Sequence, residues 1–532
     1  MKSEARKVGL LLVGSSVLLL AAYQIPSDIF LAFGPNDGPY VGGFREEFEI
    51  DEPYLIHWSG RRGRVRLPFL LPRGPFAISF RYKRHTRLPA DIRLFVAGQP
   101  VDRFLVPQQD FTVRTATVLA NPRPWEPLTL DFLADSPDPR PLGLAFDWLR
   151  VEPGPGSTPL LPTATALGYL LGVILGLYAF PRLFGFSSGR SLAVALGGAV
   201  VLAAMAATHK LAPVHMATTL GLRPHAFALM ALVFFHFRRR SEDSAFSRPV
   251  ARWVLLAFYL GTTVRLLALF HPEFYYPDVR THSKFVYLIW TQGIGGFFAN
   301  HIEHQHRHLL GLQLVGDQWM AFPYPPLLYL LIYPLSLLRL PVDDWMKIVP
   351  TFLVGLEALV VYAMACRLGL SGRTAAIASW FHTTAALVAF RLTVASYAAV
   401  LGHFWDVLVG LYLLFLFRDM DRALIGVGLA LLVSGSLLSY AGGVLVLGFF
   451  IPAFSIAAWL WRRRGGDAGR AARTLLWSAA GAFFAIALFY LQYIPELMPG
   501  WRDGHLLGIF SSRLLDFRLT PVAAAATCWF SR

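Results

Sequence analysis

The sequence predicts a mainly α-helical, polytopic membrane protein of about twelve transmembrane helices that carries an exported β-sandwich near its amino terminus. Three observations predict this. Hydrophobic residues make up 55% of the 532 and charged residues only 15%, with a mean hydropathy of +0.49. Apolar runs of about twenty residues, each long enough to cross roughly 30 Å of hydrocarbon, recur along most of the chain. Between positions 31 and 158 these runs stop, and apolar residues alternate with period two instead.

Residues 1–30 read as a membrane anchor. Met1 to Lys7 is basic and Val8 to Tyr23 apolar, with no evident small-x-small site at which a leader would be cut. Residues 31–158 read as an antiparallel sandwich. Ile78, Phe80 and Tyr82 share a face, as do Ile92, Leu94 and Val96, then Leu128, Leu130 and Phe132, and finally Leu142, Leu144, Phe146 and Trp148. Breaks at Gly98-Gln99-Pro100, Asn121-Pro122 and Ser136-Pro137-Asp138 separate these runs, as short strands require. The closing run from Leu142 to Val151 resembles the last strand of a galactose-binding-like jelly roll.

Gly154 to Pro159 is a linker. Residues 159–250 are expected to hold accessory spans near 163–180, 191–208 and 224–237. Residues 251–532 are expected to hold a second module, with spans near 252–270, 323–340, 347–366, 374–391, 396–417, 423–440, 442–460 and 473–491. Another apolar stretch begins at Thr520 and stops at Arg532, so this last module is expected to be incomplete.

The formal charge of +15, from 48 Lys and Arg against 33 Asp and Glu, would point to nucleic acid in a soluble protein. Here arginines collect at span ends, in Phe237-Arg238-Arg239-Arg240 and Trp461-Arg462-Arg463-Arg464. Positive-inside bias explains that placement, and no nucleic-acid partner is expected. Two cysteines, Cys366 and Cys528, build neither a disulfide framework nor a thiolate zinc site. With the amino terminus inside, the sandwich lies outside, the loop from Arg238 to Arg252 returns to the cytoplasm, and Asp278 emerges outside. The expected location is the plasma (inner) membrane. The count of spans from Arg240 to the Arg462–Arg473 cluster is odd, so one is miscounted, and the Gly-interrupted run Phe285 to Phe298 is the candidate.

The polar segment His271-Pro272-Glu273-Phe274-Tyr275-Tyr276-Pro277-Asp278-Val279-Arg280-Thr281-His282 follows directly on the apolar run Trp253 to Phe270. The chain re-enters at Phe322-Pro323-Tyr324-Pro325-Pro326-Leu327 about forty residues later, the length of a functional loop rather than a connector. An aromatic, proline-flanked acid after a membrane helix, a long exported loop and a Tyr-Pro-Pro-Leu re-entry together resemble the GT-C glycosyltransferases. That multi-span group includes protein O-mannosyltransferases and aminoarabinose transferases, and the resemblance covers roughly residues 250–495.

The resemblance implies that Asp278 is the catalytic base of an inverting transfer. The donor would be a sugar on a polyprenyl-phosphate carrier, and the acceptor an extracytoplasmic glycan, lipid or protein. Many members follow this acid with a second one, whereas Val279 stands here. The acceptor hydroxyl must lose a proton as the bond forms, and the departing phosphate must be stabilised by cations. Arg280, His282 and Arg391 are the candidate cations, Glu273 is a candidate second acid, and Tyr324 a candidate substrate contact. Asp278 near lipid should be desolvated, with Arg280 opposing the resulting shift. Plain structural readings stand beside these. Asp278 would also cap a helix from Val279 to Trp290, Arg280 and His282 would serve as interfacial anchors, and the prolines after Tyr324 suit a helix start.

His301, His304 and His308 fall on one helix face around Glu303, as a divalent metal site or a solvated segment would have them. His382, Arg391, His403 and Asp406 lie inside predicted spans, where ionisable groups are costly, and His403 and Asp406 could pair on one face. Two other classes compete with the enzyme. A secondary transporter would need midplane ionisable residues on broken helices and related halves. A non-catalytic envelope assembly or polysaccharide export protein would need neither.

Overall fold

The computed structural model describes residues 2–34, 37–51, 54–71, 74–84, 88–107, 109–136, 142–154, 160–183, 185–221, 250–271, 278–308, 310–315, 318–338, 341–461 and 467–502. They fall into two units, Met1–Leu256 with Thr263–Tyr275, and Ala257–Thr262 with Tyr276–Arg532. The unit boundary thus lies some way beyond the linker, and the anchor, the sandwich and the first spans belong together.

The first unit opens with helix α1 (Lys2–Tyr23). The Lys210 ammonium donates to the Ala22, Tyr23 and Ile25 carbonyls at 3.2, 3.2 and 2.6 Å, capping the end of α1 where helix carbonyls lack partners. Burial lowers that ammonium to about 8. Strands β1 (Ile29–Ala32), β2 (Val41–Asp51), β3 (Tyr54–Arg66), β4 (Phe69–Leu70), β5 (Phe76–Arg84), β6 (Ala90–Val96), β7 (Gln99–Val106), β8 (Gln109–Val118), β9 (Thr129–Asp135), β10 (Ala145–Pro153) and β11 (Leu161–Pro162) follow. Helices α2 (Ala164–Leu183), α3 (Ser188–Thr208), α4 (Leu211–Gly221) and α5 (Ala251–Leu269) come next.

Nine strands pair in the order β7-β6-β9-β3-β10-β5-β8, with β1 on β10 and β2 on β3, and every pairing is antiparallel. The sheet folds over at β3. His57 and Trp58 pair with β10, whereas Arg62 to Arg66 pair with β9, so one strand serves both layers of a sandwich. Between the layers Phe80 meets Phe132 at 5.2 Å, Phe132 meets Phe146 at 4.8 Å, and Phe104 meets Phe80 at 6.0 Å.

The alternation read from the sequence holds in β5, β6 and β9, where Ile78, Phe80, Tyr82, Ile92, Leu94, Val96, Leu130 and Phe132 are buried. It fails once. In β10 a bulge between Phe146 and Trp148 reverses the phase, so Leu149 and Val151 are buried and Trp148 is not.

The second unit contains α6 (Asp278–Ala299), α7 (His301–His308), the hairpin β12 (Leu312–Val315) and β13 (Gln318–Ala321), and α8 (Leu327–Ser336). It continues through α9 (Val342–Arg367), α10 (Gly372–Thr384), α11 (Ala386–Thr393), α12 (Tyr397–Leu416), α13 (Ala423–Ser439), α14 (Gly443–Trp461), α15 (Asp467–Leu488) and α16 (Ile494–Arg502). The expected long loop after Asp278 is therefore two helices and a hairpin. The run Phe285 to Phe298 is the later part of α6, which kinks at Gly293 where φ is +72°.

Among the described residues eight helices are long and apolar enough to cross a membrane, which fits a multi-pass membrane protein. About twelve were expected from the runs alone. The run 224–237 lies outside the described residues, and 323–340 and 423–440 shrink to the shorter helices Leu327–Ser336 and Ala423–Ser439. The run 374–391 breaks at Ala385, whose ψ of 119° is extended. Thr383 and Thr384 donate to the Ser379 and Trp380 carbonyls just before the break, and such bonds loosen a helix end.

Candidate functional site

Helix α6 begins at Asp278, a favourable place for an acid because helix amides there point outward. Val279, His282, Ser283, Phe285, Val286, Leu288 and Ile289 follow at helical spacing and are buried, which settles the inward face. Asp278 is half-buried, and burial pushes its carboxyl above the usual carboxylate range. Arg280, half-buried and already engaged, does not reverse that shift.

His282 sits one turn inward from Asp278. Its Nδ1 lies 2.9 Å from the Tyr329 hydroxyl and its Nε2 lies 3.2 Å from the Ala395 carbonyl. A carbonyl only accepts, so Nε2 carries the hydrogen and Nδ1 accepts from Tyr329. Burial lowers the imidazole to about 4, so it is neutral at pH 7. The cationic part read for His282 therefore passes to other groups, and His282 is a strut that ties α6 to α8 and to the turn before α12. Ala395 reaches it through a φ of +51°, a left-handed conformation that costs a non-glycine residue energy.

Aromatic rings complete this floor. Tyr324, half-buried, lies 5.7 Å from the His282 ring and 5.4 Å from Phe285, and a Cβ on Gly311 (φ +62°) would collide with its ring. Tyr397 lies 6.0 Å from His282, fully buried, with no hydrogen bond to its hydroxyl, and Asp343 in the first turn of α9 acts on it electrostatically. The charge of Asp278 likewise reaches Tyr329. Asp278, His282 and Tyr324 thus share one neighbourhood, as read from the sequence. Glu273 lies outside the described residues.

Arg391 belongs elsewhere. It ends α11 and lies within electrostatic range of His403 and Asp406. The centre of that second cluster is Glu357 of α9, fully buried, which the sequence reading did not single out. Its Oε2 lies 2.9 Å from His382 Nε2 and 3.9 Å from His403 Nε2, while Oε1 has no hydrogen-bond partner. His403 and Asp406 do not pair with each other through a hydrogen bond in this arrangement; Asp406 accepts instead from the Ser436 hydroxyl at 2.6 Å. The Asp406 carboxylate acts on Arg391 electrostatically, which weakens Arg391 as a phosphate anchor.

The three histidines read as metal candidates separate. His301 is fully buried, stacked 4.7 Å from Phe285 and edge-on to Phe297 at 4.6 Å, and burial lowers it to about 3. His304 meets His308 at 4.4 Å on the more open side, and burial lowers His304 to about 4. The amphipathic pattern of α7 divides them: His301 and Gln305 face inward, and Gln305 ties the helix down by donating to the Phe322 carbonyl and accepting from Tyr493. Among the described residues no three His, Cys, Asp or Glu side chains come together as metal ligands.

No family profile matches the chain, and no curated protein sequence does. Solved structures similar to part of it include a family 35 carbohydrate-binding module from Clostridium thermocellum, at 13% identity over 24% of this chain and 99% of that one, with a TM-score of 0.19. Another is the CBM22-1 xylan-binding domain of Xyn10C from Paenibacillus barcinonensis, at 13% identity over 24% and 96%, with a TM-score of 0.19. A third is the GH26-CBM35 β-(1,4)-mannanase of Podospora anserina, at 11% identity over 30% and 34%, with a TM-score of 0.18. Scores this low carry no argument about ligand, and the sandwich stands on its own strand pairing.

Proposed function

We propose that this chain is a GT-C-like membrane glycosyltransferase that moves a sugar from a polyprenyl-phosphate carrier to an extracytoplasmic acceptor, with Asp278 as base. The observation that carries the reading is the half-buried, desolvated carboxyl of Asp278 at the start of α6, above a floor of His282, Tyr324 and Tyr329. A raised carboxyl is a better base for a hydroxyl, because proton transfer is most efficient when the acceptor's affinity approaches the working pH.

The acceptor oxygen attacks the anomeric carbon and gives its proton to Asp278. The bond from that carbon to the phosphate oxygen breaks, and the phosphate leaves with the bonding pair. Arg280 remains the cation nearest in sequence to receive it. Neutral His282 orients Tyr329, and Tyr324 offers a ring face to the sugar. In this reading the sandwich holds the acceptor outside the plasma membrane. The reading calls for no metal.

A second reading, transport, is favoured by one observation. Glu357, His382, His403 and Asp406 gather beside the helix break at Ala385, as ion-coupled transporters require. Transfer from polyprenyl-phosphate sugars in detergent separates the two, since flux across proteoliposomes without transfer supports transport. Within the enzyme reading, Asp278→Asn should keep expression and donor binding while lowering turnover by at least about 10²-fold. Glu273→Gln should cost less. Near-normal turnover in the Asn variant would make Asp278 a helix cap.

A further inference from the structure

We infer that the loop from Leu119 to Pro127 in the sandwich is a lipid-docking surface that seats in the interface of the bilayer crossed by α1 and α2. Leu119 is 83% exposed and Trp125 72%, while the residues on either side of the loop, Val118 at the end of β8 and Leu128 just before β9, are buried. Outward residues of the apolar helices are exposed to the same degree, such as Phe449 of α14 at 77%. Single exposed apolar residues need no explanation, but a tryptophan and a leucine on one short loop ask for a partner.

The position of the loop supplies the partner. The Leu128 amide donates to the Phe69 carbonyl at 3.0 Å, and the Leu67 amide donates to the Leu128 carbonyl at 2.9 Å, so the loop ends against β4. Strand β4 pairs with β11, and α2 begins at Ala164 directly after β11. The ring of Tyr23, last residue of α1, packs 5.8 Å from Phe69, and Gln24 donates to the Leu160 carbonyl at 3.2 Å. The loop is thus separated by a single strand from the point where two spans meet the sandwich. Strand spacing is about 5 Å, so it stands at the level where lipid headgroups begin.

Its chemistry agrees. Tryptophan beside arginine is the composition of an interfacial belt, where one end of the ring is apolar and the other wet. Pro122 and Pro124 stiffen the loop, and Asn121 pins it by donating to the Leu71 carbonyl and accepting from the Arg123 amide, both at 3.1 Å. Arg123 pairs with Glu126 at 3.2 Å, so its charge does not oppose shallow insertion. A carbohydrate platform also uses exposed rings, but it adds polar side chains aimed at hydroxyls, and here the neighbouring polar pair is closed on itself.

The test uses the full chain in proteoliposomes, with Cys366→Ser and Cys528→Ser and one new cysteine carrying a solvent-sensitive fluorophore. Trp125→Cys and Leu119→Cys are the probes. Leu105→Cys is the control, because Leu105 is 69% exposed and pairs with Asp91, level with Asp135 at the opposite end of β9. That places it roughly 17 Å along the sheet from Leu130. Both probes should be quenched by lipids with shallow acyl-chain nitroxides, and aqueous iodide should quench them at least about threefold less than the control. Iodide quenching equal to that at Leu105, without lipid quenching, overturns the proposal. Protection that arises only when soluble glycans are added overturns it in favour of a carbohydrate platform.

Discussion

Arg84 in the sandwich and Glu357 in α9 are both fully buried and both ionisable, yet their surroundings treat them in opposite ways. Arg84 donates to the Leu88 carbonyl, the Gly143 carbonyl and the Ser136 hydroxyl at 3.2, 2.7 and 2.8 Å. Its fork is used to close strand ends that would otherwise leave buried acceptors unpaired. Glu357 satisfies one oxygen with His382 and leaves the other bare. A buried charge fully met by its neighbours reads as architecture. A buried carboxyl with one oxygen left without a hydrogen-bond partner, beside a broken helix, is the arrangement expected of a working group.

The largest expected effect tests the architectural side of that contrast. Arg84→Met removes the donor and leaves two buried acceptors, the Gly143 carbonyl and the Ser136 hydroxyl, so the sandwich should lose about 3 kcal/mol. Thermal unfolding of the full chain in detergent, followed by the β signal in circular dichroism, measures it. A loss below about 1 kcal/mol would show that the guanidinium is ornamental and would weaken the comparison.

Acidification comes next, and it acts on the helical unit. His282 falls from an ordinary value near 6.5 to about 4 in the fold, so the unfolded chain binds the extra proton first. Stability from this group is complete above about pH 6.5 and is lost as pH falls through the window towards 4, by on the order of 3 kcal/mol. His301 and His304 add to the same slope. Melting of the full chain between pH 7.5 and 4.5 should therefore fall steeply, and His282→Gln should flatten it. An unchanged slope in that variant would show that the acid sensitivity belongs to other groups.

The smallest stability effect is expected at Glu357. Glu357→Gln keeps size and shape and changes a carboxyl whose second oxygen has no hydrogen-bond partner, so melting should change by less than about 1 kcal/mol. Transfer or flux should nevertheless fall by at least about tenfold if the cluster works. A stability loss as large as that from Arg84→Met, with activity intact in the folded fraction, would place Glu357 on the architectural side.

Legibility in the sequence followed the range of the interaction. The faces of β5, β6 and β9 could be read because side-chain alternation is a local property of a strand. Trp148 was misplaced because a bulge is set by what the partner strand β5 demands, across many residues. Asp278 stood out as an acid after an apolar run, but the neutrality of His282 depends on Tyr329 and on Ala395, distant in the chain. Glu357 went unread because a lone acid in an apolar run looks the same whether it pairs or not.

Composition and periodicity by themselves determined a membrane-spanning chain with an alternating β segment near its start, since hydrocarbon thickness and strand pleat both act over short stretches. Helix starts and the prolines before α8 belong to the same class. Only the tertiary structure decided that the sheet folds over at β3, that one predicted span breaks at Ala385, and that Arg391 lies near His403 and Asp406 rather than Asp278. Each of those depends on partners far apart in sequence, which are chosen by packing and which no local pattern encodes.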